Sequence, residues 1–304
     1  MDTLGKLITE KPNLRTANLD HKSIPEILQL IHEEDKKISI AIEEQLPNIS
    51  KVVENIVDSF RQGGRLFFCG AGTSGRLAIM EASECPPTFS TPPEMVQGLM
   101  AGFPDALWRA VEGAEDSKEE GRKIAIEKKI SSKDFVLGIS ASGQTPYVLG
   151  ILSYAREKGA KTAILCANPP GVPCADCVIA PATGSEVLTG STRMKAGTAA
   201  KMVLNMITTT SMICMGKVHG NLMVDLNPNS QKLVGRAIRI ITEITKCNPE
   251  EAARLIQEAG NAKVAIVMYY KKVTKMQAKE ILNQHNGKLR SVLENLEFTA
   301  EKKL

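Results

Sequence analysis

Gly70, Gly72 and Gly75 stand in the stretch FFCGAGTSGRLAIMEASECPP at the G-x-G-x-x-G spacing of a dinucleotide-binding turn. They follow the apolar run RLFFCG and precede a helical pattern, which is the context such a turn needs. The turn also needs a ribose-binding carboxylate about 20 residues further on, at the end of a second strand. There the chain runs into Cys85-Pro86-Pro87 and Pro92-Pro93, and no strand pattern leads to Glu94. Arg76 and Leu77 directly after Gly75 exclude a G-K-[ST] phosphate loop as well. What remains is a pair of hydroxyls, Thr73 and Ser74, at a helix N-terminus. Free N–H groups and the positive end of the helix dipole favour an anion there.

A second loop of the same design follows a later apolar run: Ser140-Ala141-Ser142-Gly143-Gln144-Thr145-Pro146, with Pro146 placed for a first helical turn. One hydroxyl loop alone reads as helix capping; two at successive strand ends read as an anion site. A third loop, 183–198, spells TGSEVLTGSTRMKAGT and brings Ser185, Glu186, Ser191, Thr192, Arg193 and Lys195, groups suited to sugar hydroxyls and phosphate. Carboxylates for proton transfer are present but ambiguous by spacing. Glu81 and Glu84 lie one helical turn apart, and Glu112, Glu115, Asp116, Glu119 and Glu120 read by composition as a solvated helix face. The Cys174/Cys177 pair is a lone C-x-x-C, and His21, His32, His219 and His285 lack metal-ligand spacing, so neither a metal nor a cofactor is expected.

The elements that must carry these loops follow from the apolar pattern. In 304 residues, 43% hydrophobic, a sizeable packed core is expected. The +4 balance implies neither nucleic acid nor a membrane surface. Seven cysteines without a framework fit a reducing compartment, and no apolar run reaches the ~20 residues of a membrane span, so a cytoplasmic location is expected. Residues 1–20 read as an extended, loosely tethered arm. Ser23-Ile24-Pro25-Glu26 opens helices that run to about residue 60. Strands are expected at 65–70, 134–140, 161–167 and 177–181, alternating with helices at about 74–84, 105–128 and 146–158. Such alternation gives an α/β fold with a parallel sheet whose ligands sit at the strand carboxyl ends. A methionine-bearing helix at 195–215 reads as core. The segments 230–246, 248–260, 261–272 and 274–287 each carry a cap and an apolar stripe. Expected boundaries are 1–56 for the arm and first helices, 57–220 for the α/β domain and 221–304 for a helical region, its last three helices forming a module from about residue 245.

GAGTSGR and SASGQTP resemble the paired loops of the sugar isomerase (SIS) domain family. The longer strings GAGTSGRLAIMEASECPPTF, AVEGAEDS, LTGSTRMKAGTAAKMVLNM, LITE and HGNLMVDL resemble, within it, the N-acetylmuramic acid 6-phosphate etherases, relatives of the glucokinase regulatory protein. The resemblance runs over nearly the whole chain, and its C-terminal helices resemble a UBA-like module. It implies release of D-lactate from C3 of N-acetylmuramic acid 6-phosphate, in cell-wall sugar recycling, by a homodimer using neither metal nor nucleotide. On the same ground Glu84 is expected as the acid and Glu115 as the base; the acid role is also suited by a place at the end of the helix, beside prolines. The family motif, not spacing, selects Glu84 over Glu81. Thr73, Ser74, Ser140, Ser142, Thr145, Glu186, Ser191, Thr192 and Lys195 are expected to bind the sugar phosphate. The alternatives are a non-catalytic phosphosugar sensor of the glucokinase-regulatory type and a sugar-phosphate isomerase. An SIS-type DNA-binding regulator is disfavoured by the acidic residues Glu33, Glu34, Asp35, Glu43 and Glu44 in the first helices.

Overall fold

The computed structural model describes residues 5, 7–170, 174–226 and 228–294. Two compact units are present: residues 1–83 with 93–208, and residues 84–92 with 209–304.

In the first unit the helical lead-in forms as its caps predict. The Glu26 carboxylate accepts the Ser23 N–H at 2.8 Å and opens α1 (Ile24–Asp35), followed by α2 (Lys37–Glu43) and α3 (Leu46–Arg61). The chain then alternates through β1 (Leu66–Gly70), α4 (Gly72–Phe89), β2 (Val96–Met100), α5 (Lys118–Glu127), β3 (Phe135–Ile139), α6 (Pro146–Glu157), β4 (Lys161–Leu165) and β5 (Cys177–Ile179). All pairings are parallel, in the order β2-β1-β3-β4-β5. Parallel strands covered on both faces need apolar side chains on both. Accordingly β1 and β3 are buried throughout, and Phe67, Leu99, Val136, Val148, Ile151 and Ile164 share one core. The order reverses between β1 and β3, so their carboxyl ends frame the crevice in which such sheets bind ligands.

Several sequence expectations change. Strand β2 was not expected, because VQGLM is short, broken by Gly98 and only partly apolar. Its last residue is Met100, followed by Ala101 and Gly102, so it presents no ribose-binding carboxylate and the dinucleotide reading stays excluded. The helix expected over 105–128 is two 3₁₀ turns (Asp105–Leu107 and Ala114–Asp116) and then α5, whose N-cap Ser117 accepts the Glu120 N–H at 3.1 Å. Of the arm expected over 1–20, residues 1–4 and 6 lie outside the described residues, and the part from residue 7 onward is not loose. It forms 3₁₀ turns at Ile8–Glu10, Leu14–Thr16 and Leu19–His21, with Thr9 and Thr16 buried. The last long helix of the α/β region is α7 (Lys195–Cys214).

The second unit holds α8 (Gln231–Thr245), α9 (Pro249–Ala259), α10 (Ala262–Lys271) and α11 (Lys275–Gln284). Ser230, Asn248, Asn261 and Thr274 cap them in turn, each accepting a backbone N–H of the first turn. Ile240 and Ile241 of α8 share a core with Ile256, Ile266 and Leu282, so α8 packs with the final three helices rather than preceding a separate module. The preceding loop is tied in by Asp225, whose carboxylate lies 2.9 Å from both Lys217 and Lys263.

Candidate functional site

The β1–α4 and β3–α6 turns meet at the switch point and build one wall each of a cleft of about 470 Å³. On the first wall Thr73 and Ser74 sit in the opening turn of α4, with the Gly75 N–H bonded to the Ala71 carbonyl at 3.1 Å. On the second, Ser140 Oγ lies 2.8 Å from Thr145 Oγ1 and 3.3 Å from Ser142 Oγ, while Ser142 Oγ accepts the Gln144 N–H at 3.1 Å. Pro146 then opens α6 at the position that needs no N–H donor. Thr192 closes the cleft from the third loop. Each hydroxyl is therefore held near a helix N-terminus, where the backbone offers donors to an anion.

Glu115 and Asp116 line the same cleft. They stand in the 3₁₀ turn Ala114–Asp116, entered through Gly113, and both are exposed, so this part of the charge run is solvated as expected but lies on a turn rather than on a helix face. Arg76 of α4 steadies this segment, donating to the Leu107 carbonyl at 3.2 Å and to the Arg109 carbonyl at 3.4 Å. Among the described residues no lysine, arginine or histidine lines the cleft, whereas Glu10, Glu115 and Asp116 do.

The structure thus brings together Thr73, Ser74, Ser140, Ser142, Thr145, Thr192 and Glu115. Ser191, Glu186 and Lys195 do not line the cleft. The Glu186 carboxylate is fully buried and accepts the Lys195 N–H at 3.0 Å and the Ala196 N–H at 2.9 Å, capping α7. Burial pushes its carboxyl up, against the lowering effect of those two N–H groups. The Lys195 ammonium is 1% exposed and donates to Glu34 Oε2 at 2.6 Å and the Ser185 carbonyl at 2.7 Å.

The choice between Glu81 and Glu84, open from spacing alone, has a structural correlate. Glu81 is buried and accepts from Asn205 Nδ2 at 2.8 Å and Thr208 Oγ1 at 2.5 Å, which joins α4 to α7. Glu84 is exposed. Helix α4 continues past it through Pro86 and Pro87 to Phe89, so the expected position at the helix end, beside desolvating prolines, is corrected. The Cys174 and Cys177 thiols are free, and burial pushes both up, which disfavours the thiolate a redox pair requires. No cluster of metal-ligating side chains occurs among the described residues. Leu7, Thr9, Glu10, Asp116 and Gln144 also line the cleft and were not expected. The LITE string, the SASGQTP loop and the AVEGAEDS string contain these residues, but no spacing within them singles the residues out.

The fold and its switch-point loops define an α/β protein with a parallel sheet and a ligand crevice at the strand carboxyl ends, and residues 48–156 match the glucokinase regulatory protein N-terminal SIS domain family. A phosphoheptose isomerase structure from Francisella tularensis is similar at 17% identity, covering 63% of this chain and 99% of that one, with a TM-score of 0.47. Curated relatives place the chain more closely. The N-acetylmuramic acid 6-phosphate etherase of Glaesserella parasuis serovar 5 (strain SH0165) is 51% identical, over 95% of this chain and 96% of its own. That of Exiguobacterium sp. (strain ATCC BAA-1283 / AT1b) is 52% identical, over 95% of this chain and 100% of its own. The chain belongs to the N-acetylmuramic acid 6-phosphate etherase family.

Proposed function

We propose that the chain converts N-acetylmuramic acid 6-phosphate and water to N-acetylglucosamine 6-phosphate and D-lactate, in the recycling of cell-wall sugars. The observation that carries this reading is a carboxylate, Glu115, in the same cleft as two hydroxyl loops at helix N-termini, in a chain about half identical to named etherases. In the open-chain sugar the C1 carbonyl acidifies the C2 proton, and the C3 ether oxygen lies β to that carbonyl. Glu115 removes the C2 proton, the C3–O bond breaks, and an acid protonates the departing lactate oxygen. Water then adds at C3 of the unsaturated aldehyde, giving its proton to the carboxylate left by the acid, and a proton returns to C2. Each assisted transfer is typically worth ~10²- to 10⁴-fold. Thr73, Ser74, Ser140, Ser142, Thr145 and Thr192 hold the phosphate. Glu186, Ser191 and Lys195 serve the site through the loop that carries Thr192.

Glu84 is the proposed acid, and helix geometry bears on whose site it serves. It follows Thr73 by eleven residues in α4, which at ~1.5 Å per residue is about 16 Å along the axis. The five bonds from C3 to the phosphorus of a sugar 6-phosphate span no more than about 6 Å. A phosphate at the start of α4 therefore leaves C3 well short of Glu84 of the same helix. The protein accordingly acts as a homodimer in which Glu84 of one subunit completes the site of the other. The compartment is the cytoplasm, in keeping with the free cysteines.

The test is the reaction in D₂O with wild-type, Glu84→Gln and Glu115→Gln proteins, following exchange at C2 separately from D-lactate release. Glu84→Gln is expected to keep exchange and lose release; Glu115→Gln is expected to lose both. Absence of lactate from pure wild-type protein at neutral pH overturns the reading.

A further inference from the structure

Leu7, Thr9 and Glu10 of the N-terminal arm line the cleft, and the way they are held there is specific. Asn168, 3% exposed, accepts the Ile8 N–H on Oδ1 at 2.8 Å, while its Nδ2 donates to Thr9 Oγ1 at 2.9 Å and to the Ala141 carbonyl at 3.0 Å. One buried amide thereby joins the arm to the Ser140–Thr145 loop. From the other side the Gly190 N–H donates to the Thr9 carbonyl at 3.1 Å, and Ser185 Oγ donates to the Ile8 carbonyl at 3.3 Å. Thr9 is buried by these contacts, whereas Glu10 is exposed and lines the cleft. A Cβ at Gly190, where φ is 76°, would stand 2.9 Å from Glu10 Oε2, so the third loop has no side chain where this carboxylate lies.

We infer that Glu10 is a substrate-contacting residue that reads the uncharged donors of the sugar, its hydroxyls and acetamido N–H. The inference rests on the etherase reading and extends its site to a third segment. A carboxylate repels the phosphate and the lactyl carboxylate alike, so the N–H and O–H groups between them are the only parts of the substrate it can face favourably. The phosphate belongs with the helix N-termini, where the donors are. Glu115 is occupied with the C2 proton, and Asp116 is its neighbour in the same turn; Glu10 is the carboxylate brought in by a separate segment, held through Asn168 on one side and beside Gly190 on the other, to orient the sugar.

Calorimetric titration of wild-type, Glu10→Gln and Glu10→Ala proteins with inorganic phosphate and with N-acetylglucosamine 6-phosphate tests this. A hydrogen bond to a charged group is worth enough for Glu10→Ala to bind the sugar phosphate about ten- to a hundredfold more weakly, with Glu10→Gln between it and wild type. Inorganic phosphate should bind the two variants no more weakly than wild type, because the change removes a repelling charge. Unchanged affinity for the sugar phosphate in Glu10→Ala overturns the inference. So does parallel weakening of both ligands, which would mark the arm as purely structural. D-lactate release by wild-type protein is scored separately. A Glu10-dependent sugar phosphate affinity without lactate release would refute the etherase reading and leave the contact standing.

Discussion

Lys195 shows how a residue with the right chemistry for phosphate is used inside the protein. Its ammonium is 1% exposed and meets Glu34, a carboxylate that also receives Lys37 at 2.6 Å and Arg15 at 3.3 Å. Removing one partner of a buried pair leaves an uncompensated charge and costs roughly 3–5 kcal/mol. Lys195→Met should fall toward the lower end, because Lys37 and Arg15 still face Glu34; the denaturant midpoint measures it. Burial alone would raise the Glu34 carboxyl, but hydrogen bonds from Lys195 and Lys37, and their charges, hold it below the ordinary value of 4.5. The folded value thus lies under the unfolded one. The stability Glu34 contributes is complete above about pH 4.5 and is lost as the pH falls through the folded value. Between pH 4.5 and 3, Glu34→Gln protein should lose stability less steeply than wild type; equal slopes would contradict the linkage.

Among the elements, α4 carries the most, and its glycines now have a mechanical account. A Cβ on Gly75 would stand 2.5 Å from Met100 Cγ and 2.8 Å from the Gly70 carbonyl oxygen. Met100 can yield; the backbone of β1 cannot, so the first turn of α4 would be pushed off the strand and its donors moved from the phosphate. Gly75→Ala is expected to cost about 1–3 kcal/mol and to weaken inorganic phosphate binding, read by chemical denaturation and calorimetry. Full phosphate affinity in a destabilised Gly75→Ala protein would separate the helix packing from the site. This element was legible in the sequence because its signals are local: a buried strand, a hydroxyl turn and a helix follow one another within 25 residues, 65–89. Strand β2 was not, since Val96–Met100 owes its extended form to pairing with β1 and has little pattern of its own. The arm was illegible for the same reason on a larger scale. Its order comes from Asn168, Ser185 and Val187, partners 160 to 177 residues away, such as Asn168 for Ile8 and Val187 for Thr16. Glu115 was legible only through the family motif, because a charge run has no spacing that distinguishes a reacting carboxylate from a solvated one.

For the whole molecule, the open matter is how many chains make one site. If the subunits pair so that each cleft takes the partner subunit's Glu84, catalysis is a property of the dimer, and two inactive proteins can repair one another. Glu84→Gln protein lacks the acid it lends but keeps its own Glu115; Glu115→Gln protein lacks the base but lends an intact acid. A mixed dimer then holds one site with both carboxylates and one with neither. Random exchange in an equimolar mixture makes half the dimers mixed, so about a quarter of the wild-type site number returns. The measurement is D-lactate release after the two variants are mixed, reversibly dissociated and reassociated, beside each variant treated alone. If both carboxylates of a site came from one chain, every dimer in the mixture would lack a complete pair and activity would stay at the level of the single variants. Light scattering of the wild-type protein sets the frame for that outcome: a monomer of 32.9 kDa would exclude the shared site, whereas a dimer whose mixed variants stay inactive would exclude Glu84 as the lent acid and return the search to the carboxylates of the cleft, with Asp116 next in line.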